Sequence, residues 1–277
     1  LRAILSFSIV PEWREKMNTL LEVKDISKRF GAVEALVDVG MTVEPGQVMG
    51  LVGDNGAGKS TLIKVISGVY QPDGGEMVLD GKPAHFENPR QARDAGIETI
   101  YQDLSLADDL NVGANIFLGR EPIRRLLGLI PVINNDRINQ ETDRLLKEIE
   151  SHIPAPHTPV FNLSGGQRQA VAIARAIYWK AKLVIMDEPT AALAVTEAAN
   201  VLKLVRSLKD EGIGVIYIDH NLLFVLRAAD RITVLYRGHK AFETAADDTS
   251  QDELVKYMTG YSQKTKDEIE MLERRRK

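Results

Sequence analysis

Short apolar runs separated by glycine- and proline-marked turns open the chain. Leu20–Ile26, Ala35–Val43 and Val48–Val52 carry the branched, partly alternating pattern of strands, with Gly31 and Pro45-Gly46 between them. The period then changes. Leu62, Val65 and Ile66 recur at helical spacing, which predicts a helix over Gly58–Ser67 directly after a buried strand. Further along, Leu183–Met186 and Ile213–Ile218 are continuous runs rich in Val and Ile, the mark of parallel strands covered on both faces. Between them the pattern predicts a helix with Thr196 as N-cap, an apolar stripe of Val201, Leu204, Val205 and Leu208, and Gly212 at its end. Strand alternating with helix predicts an α/β core.

Strand signals vanish between Gln102 and Leu163. Ile138–Ile149 is amphipathic, and the proline-rich run His152–Pro159 breaks it off, so Leu104–Tyr178 is predicted to be a helical lobe inserted in the core. A single glycine-rich loop occurs, without the second copy that an internal duplication would give, so a second site of the same kind needs a second chain.

Composition narrows this picture. With 277 residues and 44% hydrophobic content the chain can bury a substantial core. It contains no cysteine, which excludes disulfides and thiolate metal sites. A formal charge of −4 supplies no global attraction to nucleic acid or to an anionic membrane. No run approaches the ~20 apolar residues that span a bilayer, so a membrane role is expected through a partner. Leu1–Pro11 has the charged start and apolar middle of a secretory signal but no small-residue cleavage site after it. The other reading makes Met17 the functional start and residues 1–16 an upstream extension.

The chemistry concentrates in two places. Gly53-Asp-Asn55-Gly56-Ala-Gly58-Lys59-Ser60 is the phosphate-loop pattern, with a strand before it and a helix after it. Glycines there let backbone N–H groups turn toward a phosphate, and the helix start adds positive partial charge. Lys59 is expected to reach β- and γ-phosphate oxygens, Ser60 to ligate Mg²⁺ and Thr61 to approach the α-phosphate. The apolar strand Leu183–Met186 runs into Asp187 and Glu188. This puts Asp187 at the carboxyl edge of the sheet as a metal partner, and Glu188 where it can polarise an attacking water. His152 and His157 also suggest a metal pair, but Pro154 and Pro156 make their spacing irregular and no third ligand is near.

Leu163-Ser164-Gly165-Gly166-Gln167, followed by Arg168-Gln169, resembles the signature of ABC-family ATPases. The resemblance covers most of Leu20–Gly260 and implies an α/β phosphate-loop NTPase core with a mixed, mainly parallel sheet, an N-terminal antiparallel β part and an inserted α-helical subdomain at about 104–178. It divides the chain into residues 1–16, an ATPase domain at 17–261 and a charged tail at 262–277. It also implies ATP and Mg²⁺ as ligands and a head-to-tail dimer, in which Ser164, Gly165, Gly166 and Gln167 of one chain face the nucleotide on the other. In the same family order, Gln102 resembles the Q-loop glutamine, His220 the switch histidine and Phe30 the adenine-stacking aromatic. Gly68–Glu76, Ala95–Gln102 and Asn115–Glu121 resemble the ATPases of monosaccharide importers, in a single-domain form. Such a subunit sits on the cytoplasmic face of the membrane with permease subunits and a substrate-binding protein, and does not bind nucleic acid. The rival readings are a soluble ATPase of the same family acting on ribosomes or DNA, and a regulatory ATP-binding module. The short, proline-containing interval from Gln102 to Leu163 excludes the long coiled coil of the first.

Two positions depart from the family pattern. Ala194 stands where many members place an aspartate, and Asp219 precedes the switch histidine where serine is usual. A carboxylate beside phosphates weakens nucleotide binding unless it is paired or faces away. Asp219→Ser is therefore expected to leave activity equal or higher. The basic end of the tail reads as a solvated, frayed helix.

Overall fold

A computed structural model describes residues 19–101, 103–126, 129–149, 153–191 and 193–261. The expectations for residues 1–16, Gln102, His152 and the tail at 262–277 fall outside them.

The first part of the chain forms an antiparallel sheet. β1 (Leu21–Phe30) lies between β2 (Val33–Val43) and a later strand, β4 (Gly74–Leu79), with β5 (Lys82–Ala84) at the edge. Between them β3 (Val48–Gly53) leaves this sheet and enters a second one, and α1 (Lys59–Ile66) follows it. The second sheet takes in β6 (Ile97–Ile100), β9 (Leu183–Asp187), β10 (Gly214–Ile218), β11 (Arg231–Tyr236) and β12 (His239–Ala245) in the order β12-β11-β3-β10-β9-β6. It is parallel except for β12, which pairs antiparallel with β11. The continuous apolar runs of β3, β9 and β10 follow from this position. Every residue of β3 and β10 is buried, so no alternating polar face remains to be read in the sequence.

Two buried clusters hold the layers together. One, with Leu21, Ile26, Met41, Leu62, Ile66 and Ile185, fills the space around α1 between the two sheets. The other joins the parallel sheet to the helical lobe through Phe117, Leu145, Val171, Ile173, Val205 and Tyr217. Each fully buried large apolar side chain contributes roughly 1.5–3 kcal/mol.

The lobe is built from α3 (Val112–Phe117), α4 (Asn135–Glu148) and α5 (Gly165–Tyr178), with α2 (Pro89–Ala95) before β6. It is not wholly helical as the sequence pattern predicts. A separate hairpin, β7 (Ile123–Leu126) with β8 (Ile130–Ile133), interrupts it. Its pattern is Ile-Arg-Arg-Leu against Ile-Pro-Val-Ile, with Ile123 and Ile133 cross-paired and both exposed. Ile123, Arg124 and Arg125 are exposed and no residue of β8 is buried, so the alternation that announces a strand is missing.

One side chain holds the start of the lobe. Asn115 is fully buried; its Oδ1 accepts from the Ala107 N–H at 2.8 Å, and its amide donates to the carbonyls of Ala107 and Asn111 at 3.0 and 3.1 Å. Asn115→Ala leaves those backbone groups unpaired inside the protein and is expected to cost about 2–3 kcal/mol. Chemical denaturation should show this as a lower midpoint at unchanged slope. At the other end of α5, Arg175 reaches Glu98 of β6 at 3.4 Å, and both are buried. Burial raises the Glu98 carboxyl, with Arg175 pulling it back.

After β9 the chain forms α6 (Val195–Asp210). The predicted N-cap Thr196 lies inside it. The cap position belongs to Ala194, whose N–H donates to Glu197 Oε2 at 3.3 Å, the glutamate half of a capping box at a cap residue that has no side-chain acceptor of its own. α7 (Leu222–Ala228) and α8 (Gln251–Met258) complete the fold.

Candidate functional site

The ends of β3, β9 and β10 lie side by side, because Gly214–Ile218 pairs in parallel with Leu183–Asp187 and Val215–Tyr217 with Val48–Gly50. Whatever follows each strand therefore emerges at one edge of the sheet. After β3 comes the glycine-rich loop, after β9 Glu188, and after β10 Asp219 and His220.

The loop is tightly enclosed. A Cβ on Gly53 would come within 2.5 Å of the Leu235 carbonyl oxygen. Gly58 has φ +107 and a Cβ there would come within 2.8 Å of the Ala35 carbonyl oxygen. Only glycine takes that backbone path without strain, and it leads straight into the first turn of α1. Asp54, Asn55 and Gly56 at the loop's crest are exposed, as is Ser60, and Thr61 is half-buried. Lys59 is 8% exposed, and its ammonium donates to the carbonyls of Gly53 at 2.7 Å and Asp54 at 3.1 Å. Burial lowers its pKa below the usual lysine range, while Glu188, Asp54 and Asp187 pull it upward. The lysine is thus folded back over its own loop, a cation held by two neutral acceptors.

Opposite stand the carboxylates. Burial raises the Asp187 carboxyl and neighbouring Glu188 raises it further, while Lys59, Lys64 and His220 draw it down. Two adjacent carboxylates, one already pushed toward protonation, form a site that gains from a cation. Glu188 has φ 54, a left-handed conformation that costs a non-glycine residue about 1–3 kcal/mol. Its N–H donates to the Ile218 carbonyl at 2.9 Å and its Oε1 lies 2.7 Å from His220 Nε2. The imidazole is exposed, so the pair faces outward over the sheet edge.

Phe30, at the end of β1, is 43% exposed, and its ring meets Tyr70 edge-on at 5.1 Å between centroids. Lys28 Nζ lies over the same ring, 5.7 Å from its centroid. Ser164 caps α5. Its hydroxyl accepts from the Gln167 N–H at 3.4 Å and its own N–H donates to Gln167 Oε1 at 3.0 Å, a reciprocal capping box. Gly165 is closely approached by Leu193, whose Cδ2 would lie 2.4 Å from a Cβ there and would have to swing aside for any larger residue. α5 packs on α6, α3, α4 and β6, whereas α1 packs on β2 and β3. Within one chain, Ser164–Gln167 therefore belong to the lobe and Lys59, Asp187, Glu188 and His220 to the sheet edge. His157 is exposed and its proposed metal partner His152 lies outside the described residues. Among the described residues no group of three or more acidic or histidine side chains forms a metal cluster.

Contacts between distant segments add contributors whose roles the sequence pattern does not give. Gln169 is buried on α5 and its Nε2 donates to the Pro189 carbonyl at 2.9 Å, tying the lobe to the loop after Glu188. Thr190 and Tyr217 both donate to Asp219. No motif marks either, because each is an ordinary residue whose role depends on contact with a distant segment.

The family described as ABC transporter matches residues 36–191. The chain is 49% identical over 246 residues to the xylose/arabinose import ATP-binding protein XylG of Sulfolobus acidocaldarius, covering 89% of this chain and 96% of that protein. It is 43% identical to the ribose import ATP-binding protein RbsA 1 of Rubrobacter xylanophilus, covering 89% of this chain but 48% of that protein. The chain thus spans nearly the whole of the first relative and about half the length of the second. Among solved structures, a nucleotide-free ATP-binding cassette from an ABC transporter superposes with a TM-score of 0.73 at 28% identity, covering 87% of this chain and 95% of that one.

Proposed function

This chain belongs to the ABC transporter family, and from that premise we propose that it binds and hydrolyses Mg-ATP as a homodimer and so drives a membrane permease that imports a monosaccharide. The single observation that carries the reading is the buried Lys59 folded over Gly53 and Asp54 at the same sheet edge as Asp187, Glu188 and His220. A loop in which a Cβ would strike backbone at Gly53 and Gly58 fits the close approach of a phosphate.

The residues divide the work as follows. Lys59 exchanges its two carbonyl acceptors for β- and γ-phosphate oxygens, while the amides of Asn55, Gly56 and Gly58 and the hydroxyl of Thr61 line the phosphates. Ser60 and Asp187, with Gln102, would hold Mg²⁺, which would supply charge neutralisation on the phosphates. Glu188 orients and deprotonates water, and His220 moves from Glu188 toward the terminal phosphate. Phe30 stacks on adenine. Ser164, Gly165, Gly166 and Gln167 of the second copy close the site; Ser164 is exposed on the lobe and the other three are half-buried. Differential contact between open and closed dimers is the source of the stroke.

The monosaccharide assignment is supported by the sugar-import names of the similar proteins and by the Gly68–Glu76 and Asn115–Glu121 segments. Among the described residues no helix is long and apolar enough to cross a membrane. The proposed placement is peripheral, on the cytoplasmic face, with the ATPase unit at 17–261, beside permease subunits and a substrate-binding protein.

The test is ATP hydrolysis by the chain reconstituted with its permease. Mg²⁺-dependent turnover stimulated by sugar-loaded binding protein is expected, and no hydrolysis with the permease present rules the reading out. In the same assay Phe30→Ala should raise KM for ATP about tenfold with kcat little changed, the loss of ~1–3 kcal/mol of base stacking.

A further inference from the structure

Asp219 is the residue whose charge the sequence reading treats as a burden on nucleotide binding, and the structure gives that charge a different use. It is 7% exposed and lies between the end of β10 and His220. Its Oδ2 accepts from the Thr190 hydroxyl at 2.5 Å and the Tyr217 hydroxyl at 3.0 Å, and its Oδ1 accepts from the Asn221 N–H at 2.9 Å. The three donors come from three places. Thr190 lies two residues past Glu188, Tyr217 is a fully buried strand residue, and Asn221 caps α7 through a 3.1 Å bond from the Leu223 N–H. Burial and the neighbouring carboxylate push the Tyr217 phenol up, so its proton stays available to donate.

A carboxylate can accept several hydrogen bonds at once, and here three donors converge on it. Serine offers one hydroxyl on a shorter side chain. It cannot serve Thr190, Tyr217 and Asn221 together, and in its place two hydroxyls would be left without a partner inside the protein. The exception allowed for in the sequence, a paired Asp219, is the one that holds, and it reverses the expected effect of Asp219→Ser.

The position of this knot matters because of what flanks it. Glu188 is anchored to the same strand end through its N–H bond to Ile218, and His220 follows Asp219 directly while touching Glu188 at 2.7 Å. On the far side, Pro189 is held by Gln169 of the helix that Ser164 caps. We propose that Asp219 is a positioning residue that clamps the loop leaving Glu188 to the loop carrying His220, so that the two side chains keep one mutual geometry. Its consequence for turnover rests on the ATPase reading above; its consequence for His220 in the nucleotide-free chain does not.

Two measurements on the full-length chain test it. In steady-state hydrolysis Asp219→Ser is expected to lower kcat about tenfold with KM for ATP within about twofold, since misplacing groups that act together costs rate rather than affinity. Asp219→Asn, which keeps one acceptor, should recover to within about threefold of the parent. Thr190→Val should also lower kcat, and the double variant should be no worse than the poorer single one, because both break the same link. In the nucleotide-free protein, the imidazole NMR signals of His220 should shift in Asp219→Ser and in Thr190→Val, while those of His85 and His239 stay in place. A parent-like or higher kcat in Asp219→Ser, multiplicative losses in the double variant, or an unmoved His220 signal would each overturn the proposal. If the parent chain itself fails to hydrolyse ATP, the ATPase reading falls and the His220 signal still decides this one.

Discussion

Lys59→Ala is expected to abolish ATP binding, with the dissociation constant rising at least about a hundredfold and turnover lost with it. Hydrogen bonds from a charged donor contribute ~1.5–3 kcal/mol each, and two of them account for a hundredfold at about 1.4 kcal/mol per factor of ten. The lysine sits where that loss cannot be repaired: it is 8% exposed, with its stem walled in, so no neighbouring cation or shell of water takes over its place. Calorimetric titration with ATP on the folded variant reads the effect directly. Parent-like affinity would mean that the triphosphate lies elsewhere, and the phosphate-loop assignment would fall.

Glu188→Gln is expected to behave in the opposite sense, retaining ATP and losing hydrolysis. Removing a base or water-positioning group costs about 10²–10⁴ in rate. Binding should hold or tighten, because neutralising Glu188 removes one of the two influences that push Asp187 up. With hydrolysis blocked, the closed state accumulates. Light scattering in ATP and Mg²⁺ should report a dimer for this variant and a mixture for the parent. A monomer that still hydrolyses at the parent rate would remove Glu188 from the chemistry and the second copy from the site.

Much of the fold and site is legible in the sequence, and the reason lies in burial and spacing. β3, β9 and β10 are covered on both faces, so their apolar runs stand out, and the residues directly after them inherit a known place at the sheet edge. That locates Lys59, Asp187 and Glu188, while His220 stands out through the order of elements in the family resemblance. The antiparallel strands β4 and β5 and the edge strand β12 carry no such run, because they contain Gly, Pro or charged residues and are partly exposed. The β7–β8 hairpin is hidden within the interval that the pattern predicts to be helical, because its described side chains bury no alternating face. Thr196 was a reasonable cap by type, but Glu197 reaches back to Ala194 and moves the start of the helix two residues earlier. Asp219 shows a different limit. Its charge is plain in the sequence, but its effect depends on Thr190, 29 residues away, whose hydroxyl the fold brings to it.

The left-handed turn at Glu188 sets heat tolerance against turnover. A glycine there would relax the backbone, and relief on the order of 1 kcal/mol raises the melting temperature of a domain this size by roughly 2–4 °C. It would also remove the side chain aimed at His220. The same side chain thus carries both the strained backbone and the contact to His220, and a substitution that relieves the first removes the second.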